Sequence, residues 1–339
     1  MTIRYTISRA RRPGLMLMLA ALALMPGRAS AESAVSSNLV TRETERAIER
    51  GLEWLAQDQA EDGGWHSKGN VVGVSSLALI AFMCQAHFPS EGDYGPVLER
   101  GLDFLLKANK EGLQGFMGTQ MYSHGLATLA LSEFWGHSDR DDEIRDALKD
   151  GVDIILRSQA PIGGWRYNPE PSGADVSVTA MQLVALASAR SAGILVPDET
   201  IEKAIEYVKM CHDPTEGGFS YFAGGNISGW QRTGAAIVSL MLAGEHDAKE
   251  AREGFKYLLS QPDDIFDPSN LVHYDYGQYY GVIANYLEGE DHLERWYPKI
   301  RKWLLESQHK DGGWKDPYST AMRVIVLSIP KGFVPAYQR

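Results

Sequence analysis

Apolar and polar positions along the chain alternate between two helical styles. In "AIERGLEWLAQDQ" (47–59), Ile48, Gly51, Leu52 and Leu55 fall at i, i+3, i+4 and i+7, one apolar stripe on an otherwise charged helix. The same style recurs in "VLERGLDFLLKAN" (97–109), "ALKDGVDIILRSQ" (147–159), "TIEKAIEYVKMCH" (200–212), "EAREGFKYLLSQ" (250–261) and "KIRKWLLESQ" (299–308). The segment after each of these is apolar on nearly every face and rich in Ala, Gly and Ser. These segments are "VGVSSLALIAFM" (72–83), "HGLATLALSEFW" (124–135), "VSVTAMQLVALA" (176–187), "RTGAAIVSLMLAG" (232–244), "YGQYYGVIANYL" (276–287) and "YSTAMRVIVLS" (318–328). Helices apolar all round are buried on all sides. The alternation predicts an all-α fold, an (α/α)6 toroid of six helical hairpins with an inner and an outer ring. It is expected to form a single domain over 40–330, followed by a C-terminal tail at 331–339.

The turns carry the repeat. Trp65, Trp165, Phe219 and Trp314 each follow a glycine pair, Phe116 follows a single glycine, and Phe266 sits in a degenerate copy, "DDIFDP". The steps between these aromatics are 51, 49, 54, 47 and 48 residues. Glycine pairs permit a reversal with positive φ, and the aromatic is expected to plug the gap between hairpins. A period near fifty marks a fold in which each unit completes its core against its neighbours.

Composition changes the picture at the N-terminus. Arg4, Arg9, Arg11 and Arg12 precede "GLMLMLAALALM" (14–25), and "RASA" follows, which predicts a secretory signal peptide over 1–31, cleaved near Ala31. The apolar run is too short for a permanent membrane anchor, so export to the periplasm or medium is expected, by the general or the twin-arginine route. Removing the leader leaves 28 basic against 44 acidic side chains, a net charge of −16, which disfavours nucleic acid and anionic lipid as partners. Cys84 and Cys211 are the only cysteines. They fall in the first and fourth hairpins, on opposite sides of the ring, so both are expected to be free and buried.

"QDQAEDGGW" (57–65), "QAPIGGW" (159–165) and "QHKDGGW" (308–314) resemble the QW repeat of the squalene and oxidosqualene cyclases and of the protein prenyltransferase β subunits. The resemblance covers almost the whole mature chain. It implies a terpenoid cyclase-like α/α toroid and says less about chemistry, since such toroids also serve as binding domains and polysaccharide-degrading enzymes. Bacterial cyclases protonate an alkene with the middle aspartate of Asp-x-Asp-Asp-Thr-Ala. "DVSVTA" (175–180) keeps Asp175, Thr179 and Ala180 of that frame but has Ser177 and Val178 in place of the other acids. A hydroxyl cannot protonate an alkene. The prenyltransferase zinc ligands, an Asp-x-Cys pair and a His, align with His273, Asp275 and Ser319, which do not make a zinc set. Neither cysteine lies in the Cys-Gly-Glu-Gln sequence of the related thioester domains. No metal or other cofactor is expected.

The polar residues at the starts of the inner helices are the remaining candidates. Asp175 reads as a helix cap, with a second role facing a ligand left open. "HYDYGQYYG" (273–281) concentrates His273, Asp275, Tyr276, Tyr279 and Tyr280 where other inner helices carry small residues. Tyr122, His124, Trp230, Arg232 and Tyr318 stand at comparable positions. Asp175, His273 and Asp275 are the catalytic candidates, and the others are expected to line an aromatic ligand cavity at one mouth of the ring. The leading reading is an exported protein that binds or transforms a hydrophobic, isoprenoid-like ligand. A polysaccharide lyase or hydrolase of the toroid type and a non-enzymatic interaction module are the alternatives. Nothing in the chain points to a particular protein partner.

Overall fold

The computed structural model describes residues 39–67, 69–269 and 272–332. The expected leader (1–31) and residues 333–339 of the expected tail lie outside the described residues. Among the described residues the regular structure is helical. The outer helices are α1 (Arg42–Asp58), α3 (Gly95–Glu111), α5 (Asp141–Arg157), α7 (Asp198–Met210), α9 (Lys249–Leu259) and α11 (Glu290–Ser307). The inner helices are α2 (Val71–Met83), α4 (Met121–Phe134), α6 (Val176–Ser191), α8 (Trp230–Leu242), α10 (Tyr274–Glu288) and α12 (Pro317–Ser328). Inner helices pack side by side in chain order, and α12 returns to α2, so the inner ring is closed. Each outer helix leans on the inner helix before it; α1, which has none before it, leans on α12.

Both expected helical styles are present. In α2 every residue from Gly73 to Met83 is buried, whereas α1 buries one stripe of Thr44, Ala47, Ile48, Gly51, Leu52 and Leu55. Gly51 marks the close approach of the two rings. A Cβ there would lie 2.6 Å from Val324 Cγ2 and 3.1 Å from the Trp314 ring.

The Gln and Trp of each good repeat have separate jobs. Gln59, Gln159 and Gln308 each donate from Nε2 to the carbonyl of the first turn glycine, at 2.9, 2.7 and 2.7 Å. Each also donates to a carbonyl near the start of the next outer helix: to Val97 O at 2.9 Å, Thr200 O at 2.9 Å and Ala47 O at 2.8 Å. Trp65, Trp165 and Trp314 are buried and donate from Nε1 to Leu55, Ile155 and Leu304 carbonyls within their own hairpins. Their backbone amides donate to Ser75, Thr179 and Thr320 on the following inner helix. The first glycine of the turn must have positive φ, +88° at Gly63, and its missing Cβ leaves room for the Arg100 carbonyl.

The second repeat corrects the expected plug. Met117, not Phe116, is fully buried there, and its amide donates to His124 Nδ1 at 3.1 Å, where the copies at Trp65, Trp165, Phe219 and Trp314 use a hydroxyl. With one glycine in place of two, the turn advances the chain by a residue, and Phe116 is left against the His124 ring at 5.2 Å.

Candidate functional site

The starts of four inner helices meet at one mouth of the ring. Asn70, Gly73, Val74 and Leu77 from the start of α2, Tyr122 and Leu126 from α4, Tyr276 and Tyr279 from α10, and Tyr318 and Met322 from α12 line a common slot with Met181 of α6. Its volume is about 50 Å³, against several hundred for a typical small-molecule pocket. The aromatic-lined cavity expected from sequence is thus a narrow slot, because tyrosines and methionines fill the axis. Tyr276 and Tyr279 both pack edge-on against Tyr280, with centroids 4.9 Å apart, and Tyr122 lies 6.3 Å from Tyr276. Tyr280 itself is fully buried beneath them, its hydroxyl 3.9 Å from Met181 Sδ. Burial pushes the Tyr122, Tyr276, Tyr280 and Tyr318 phenols up from their usual value. They stay protonated at neutral pH and so are not bases there; the Tyr276 hydroxyl is buried without a hydrogen-bond partner.

Asp175 is the N-cap of α6. Its Oδ1 accepts from Val178 N at 2.9 Å, while Oδ2 is buried without a hydrogen-bond partner. Burial raises its pKa, opposed by its own helix amides, by Tyr221 and by Arg166. The side chain does not line the slot: loop residues cover it, with Tyr221 O accepting from Val176 N and the Tyr221 and Tyr167 hydroxyls 2.6 Å apart. Ser177, two residues on, is only half-buried, and its hydroxyl and the Asp175 charge both act on the Tyr276 phenol. The α6 and α10 helices meet at the axis, where the Tyr280 hydroxyl lies 3.9 Å from Met181 Sδ.

Asp275 is committed elsewhere. Its Oδ1 accepts from Arg323 Nε at 2.7 Å and its Oδ2 from Ser319 Oγ at 2.9 Å. The pair ties α10 to α12 and is nearly buried, the side chains being 12 % and 10 % exposed. A carboxylate so held is not a free general base.

Four other candidates fall outside the slot. His124 turns toward the outer ring: Nδ1 accepts from Met117 N, so Nε2 carries the proton and donates to Gly151 O at 2.9 Å. Burial pulls its pKa down to about 4, which makes it a neutral strut rather than the base the sequence offered. His273 is exposed, with φ +59°, as the residue before α10. Arg232 grips the loop beside it, donating to the Phe219 and Ile227 carbonyls at 3.1 and 3.0 Å. Trp230 is buried against Gly277, where a Cβ would lie 2.3 Å from its ring.

Sequence reasoning missed Asn70 and Arg323. Asn70 caps α2 through Gly73 N and accepts from Ser123 Oγ at 2.6 Å, joining two helix starts. An Asn just before an apolar run is a cap signal, and a lone Arg inside the apolar "YSTAMRVIVLS" is the mark of a buried ion pair. Among the described residues no group of three or more His, Cys, Asp or Glu is placed to hold a metal ion, and no helix is long and apolar enough to cross a membrane. Cys84 and Cys211 are free and buried, and burial pushes the Cys211 thiol up to about 12.

A closed double ring of helices around an aromatic axis defines the class: a terpenoid cyclase-like α/α toroid. No protein-family model matches the chain, and no curated protein matches it in sequence. Among solved structures it is similar to the type II terpene cyclase MstE from Scytonema in its apo form, at 15% identity and TM-score 0.59, covering 86% of this chain and 98% of that one. It is also similar to an α-1,6-mannanase of Salegentibacter in complex with α-1,6-mannotetrose, at 11% identity and TM-score 0.65, covering 86% and 99%. A third is the cellobiose 2-epimerase from Bacillus thermoamylovorans, at 11% identity and TM-score 0.61, covering 84% and 98%. At such identities the likeness is one of fold.

Proposed function

We propose that the protein is an exported toroid that binds the end of a small hydrophobic ligand in the tyrosine-rimmed slot, without performing acid-initiated cyclisation. The lining of the slot carries the reading. Val74, Leu77, Leu126, Met181 and Met322 supply apolar walls, and Tyr122, Tyr279, Tyr318 and Asn70 bring polar side chains to the lining. That is the composition of a site that takes an apolar group and orients it by a few hydrogen bonds. The two methionines can change rotamer at low cost, so the slot widens for a ligand that its closed volume does not hold. MstE, seen in a variant complex with geranylgeranyl dihydroxybenzoate (12% identity, TM-score 0.55, 87% and 98% covered), supports an isoprenoid-like group as the first class to try. Ser177 stands where an acid would be needed, so binding is the activity expected.

The test is calorimetric titration of the mature protein, residues 32–339, with geraniol and, in parallel, with a neutral mannotetraose. Saturable binding of geraniol that weakens when Met181 and Met322 are both replaced by Phe supports the reading. No binding of geraniol refutes it.

One observation favours the carbohydrate alternative. Tyr167 and Phe222 stand exposed beside the mouth with the Arg166 guanidinium over both rings, at 5.6 and 5.0 Å from their centroids. Exposed aromatic faces can stack against sugar rings. Binding of the mannotetraose, abolished by replacing Tyr167 and Phe222 with Ala, would transfer the function to that surface.

A further inference from the structure

We propose that the groove between α9 and α11, on the outer ring, is a second binding site, and that it takes a planar aromatic monocarboxylate with its charge on Arg295. The site is separate from the slot and does not rest on the slot reading. It exists because the fifth repeat has lost its glutamine tie. Gln261 stands where Gln59, Gln159 and Gln308 stand in the good repeats. The glycine pair is missing there, and a 3-10 turn over Asp263–Phe266 replaces it. With no turn glycine to hold, the Gln261 amide folds back onto Tyr257 O of its own helix at 3.0 Å. The turn is held from the inner ring instead: Gln278 donates to Ile265 O at 2.7 Å and accepts from Trp296 Nε1 at 3.2 Å. Gln261 therefore does not tie α9 to α11, and a groove of about 320 Å³ remains between them. That volume falls within the range of small-molecule pockets.

The groove has an aromatic floor. Phe266 and Trp296 meet at 70° with their centroids 4.9 Å apart, and Leu258, Leu259 and Ile265 complete the apolar lining. Leu259 is 40 % exposed, so part of that lining is open to solvent. The polar lining is Gln261 on one side and Arg295 with Lys299, one turn apart on α11, on the other. No acid belongs to it. Two other grooves of the outer ring differ on both counts. The one between α1 and α11 is lined by Glu43, Glu49 and Glu53, and the one beside α5 by Asp153, and neither has an aromatic ring in its lining.

The two cations are not equivalent. Lys299 is already matched: its Nζ lies 2.6 Å from Asp263 Oδ1 and 5.5 Å from the Phe266 centroid. Arg295 is exposed and has no hydrogen-bond or ion-pair partner among the described residues. One uncompensated guanidinium thus borders an aromatic floor. Its planar fork matches a carboxylate with two parallel hydrogen bonds. A doubly charged phosphate would find only one free positive charge. A flat ring packs on Phe266 and Trp296 with the aromatic geometry that an alkyl chain cannot supply.

The experiment is calorimetric titration of the mature protein at neutral pH with 2-naphthoate, 2-naphthalenemethanol and decanoate. Its variants are Arg295→Gln, Leu259→Trp, which fills the groove, and the Met181→Phe/Met322→Phe double variant, which fills the slot. Arg295 and Leu259 are exposed, and matching melting midpoints check that their variants fold. Expected is one saturable site for 2-naphthoate, about three- to tenfold tighter than for the alcohol, the modest gain of an ion pair open to water. Arg295→Gln should bind acid and alcohol alike, Leu259→Trp should bind neither, and the methionine double variant should bind as wild type does. No saturable binding of 2-naphthoate, equal affinity for acid and alcohol, or a preference untouched by Arg295→Gln would overturn the site. Binding lost in the methionine double variant but kept in Leu259→Trp would place the acid in the slot and overturn it as well. Tighter binding of decanoate would overturn the aromatic assignment. Geraniol decides the slot reading separately, so either proposal can fail alone.

Discussion

Gln308 donates from its side-chain amide to the backbone carbonyl of Ala47, 2.8 Å away and 261 residues earlier in the chain. The same amide group also holds Gly312 O at 2.7 Å, so one side chain ties the last turn to the first outer helix. Gln59 and Gln159 do this between consecutive hairpins, but at Gln308 the bond closes the ring.

Replacing Gln308 by Leu leaves two carbonyls without their donor. A loss of about 1–3 kcal/mol in unfolding free energy is expected, measured by urea titration. The Gln159→Leu variant, inside the ring, should lose a similar amount. A Gln308 variant as stable as wild type would show that the closure depends on α1–α12 packing alone.

Gly51→Ala sets helix propensity against space. Alanine gains about 1 kcal/mol in a helix interior, but its methyl would lie 2.6 Å from Val324 Cγ2 and 3.1 Å from the Trp314 ring. Val is stiff at χ1 and the indole is held at its own nitrogen, so neither can yield freely. Overpacking costs about 1–3 kcal/mol, and the net expected result is a lower denaturation midpoint. A raised midpoint would mean that the two rings are further apart than this.

Asp175→Asn keeps the cap oxygen and removes a buried charge. Because burial raises the folded-state pKa of Asp175, its contribution to stability is present below the ordinary value of 3.8 and is lost as pH rises through the raised value. The asparagine variant should match wild type in acid and equal or exceed it at neutral pH, whereas Asp175→Ala should lose about 1 kcal/mol throughout. Neither change should weaken ligand binding in the slot. Loss of binding in the asparagine variant at unchanged stability would instead place the carboxylate on the ligand.

His124 titrates the other way. Its folded pKa is pulled from 6.5 to about 4, so its contribution is complete above 6.5 and disappears as pH falls through about 4, a swing of up to about 3 kcal/mol. Part of the acid destabilisation of the wild type should be missing in His124→Gln. Nitrogen NMR should find His124 neutral at pH 6 with the proton on Nε2, and a protonated ring at that pH would contradict the strut.

The chain's periodicities determined the architecture. One apolar stripe on each charged helix and full apolarity in the next leave few ways to bury both, and the glycine–aromatic turns space them at intervals near fifty residues. Asp175 as a cap was legible for the same reason, since capping is decided within three residues of the chain. The slot was legible only as a list of tyrosines. Which of them face the axis, how far they fill it, and which polar groups are already spent depended on partners far away in sequence. His124 is the clearest case: it stands one turn from Gln120 and two residues from Tyr122, yet Met117 and Gly151 draw it outward. Asp275 met Arg323 across 48 residues, and that pairing turned a candidate base into half of an ion pair. Helical period and caps arise from neighbours along the chain, whereas the state of a polar side chain depends on whatever the closed ring brings within hydrogen-bonding distance of it.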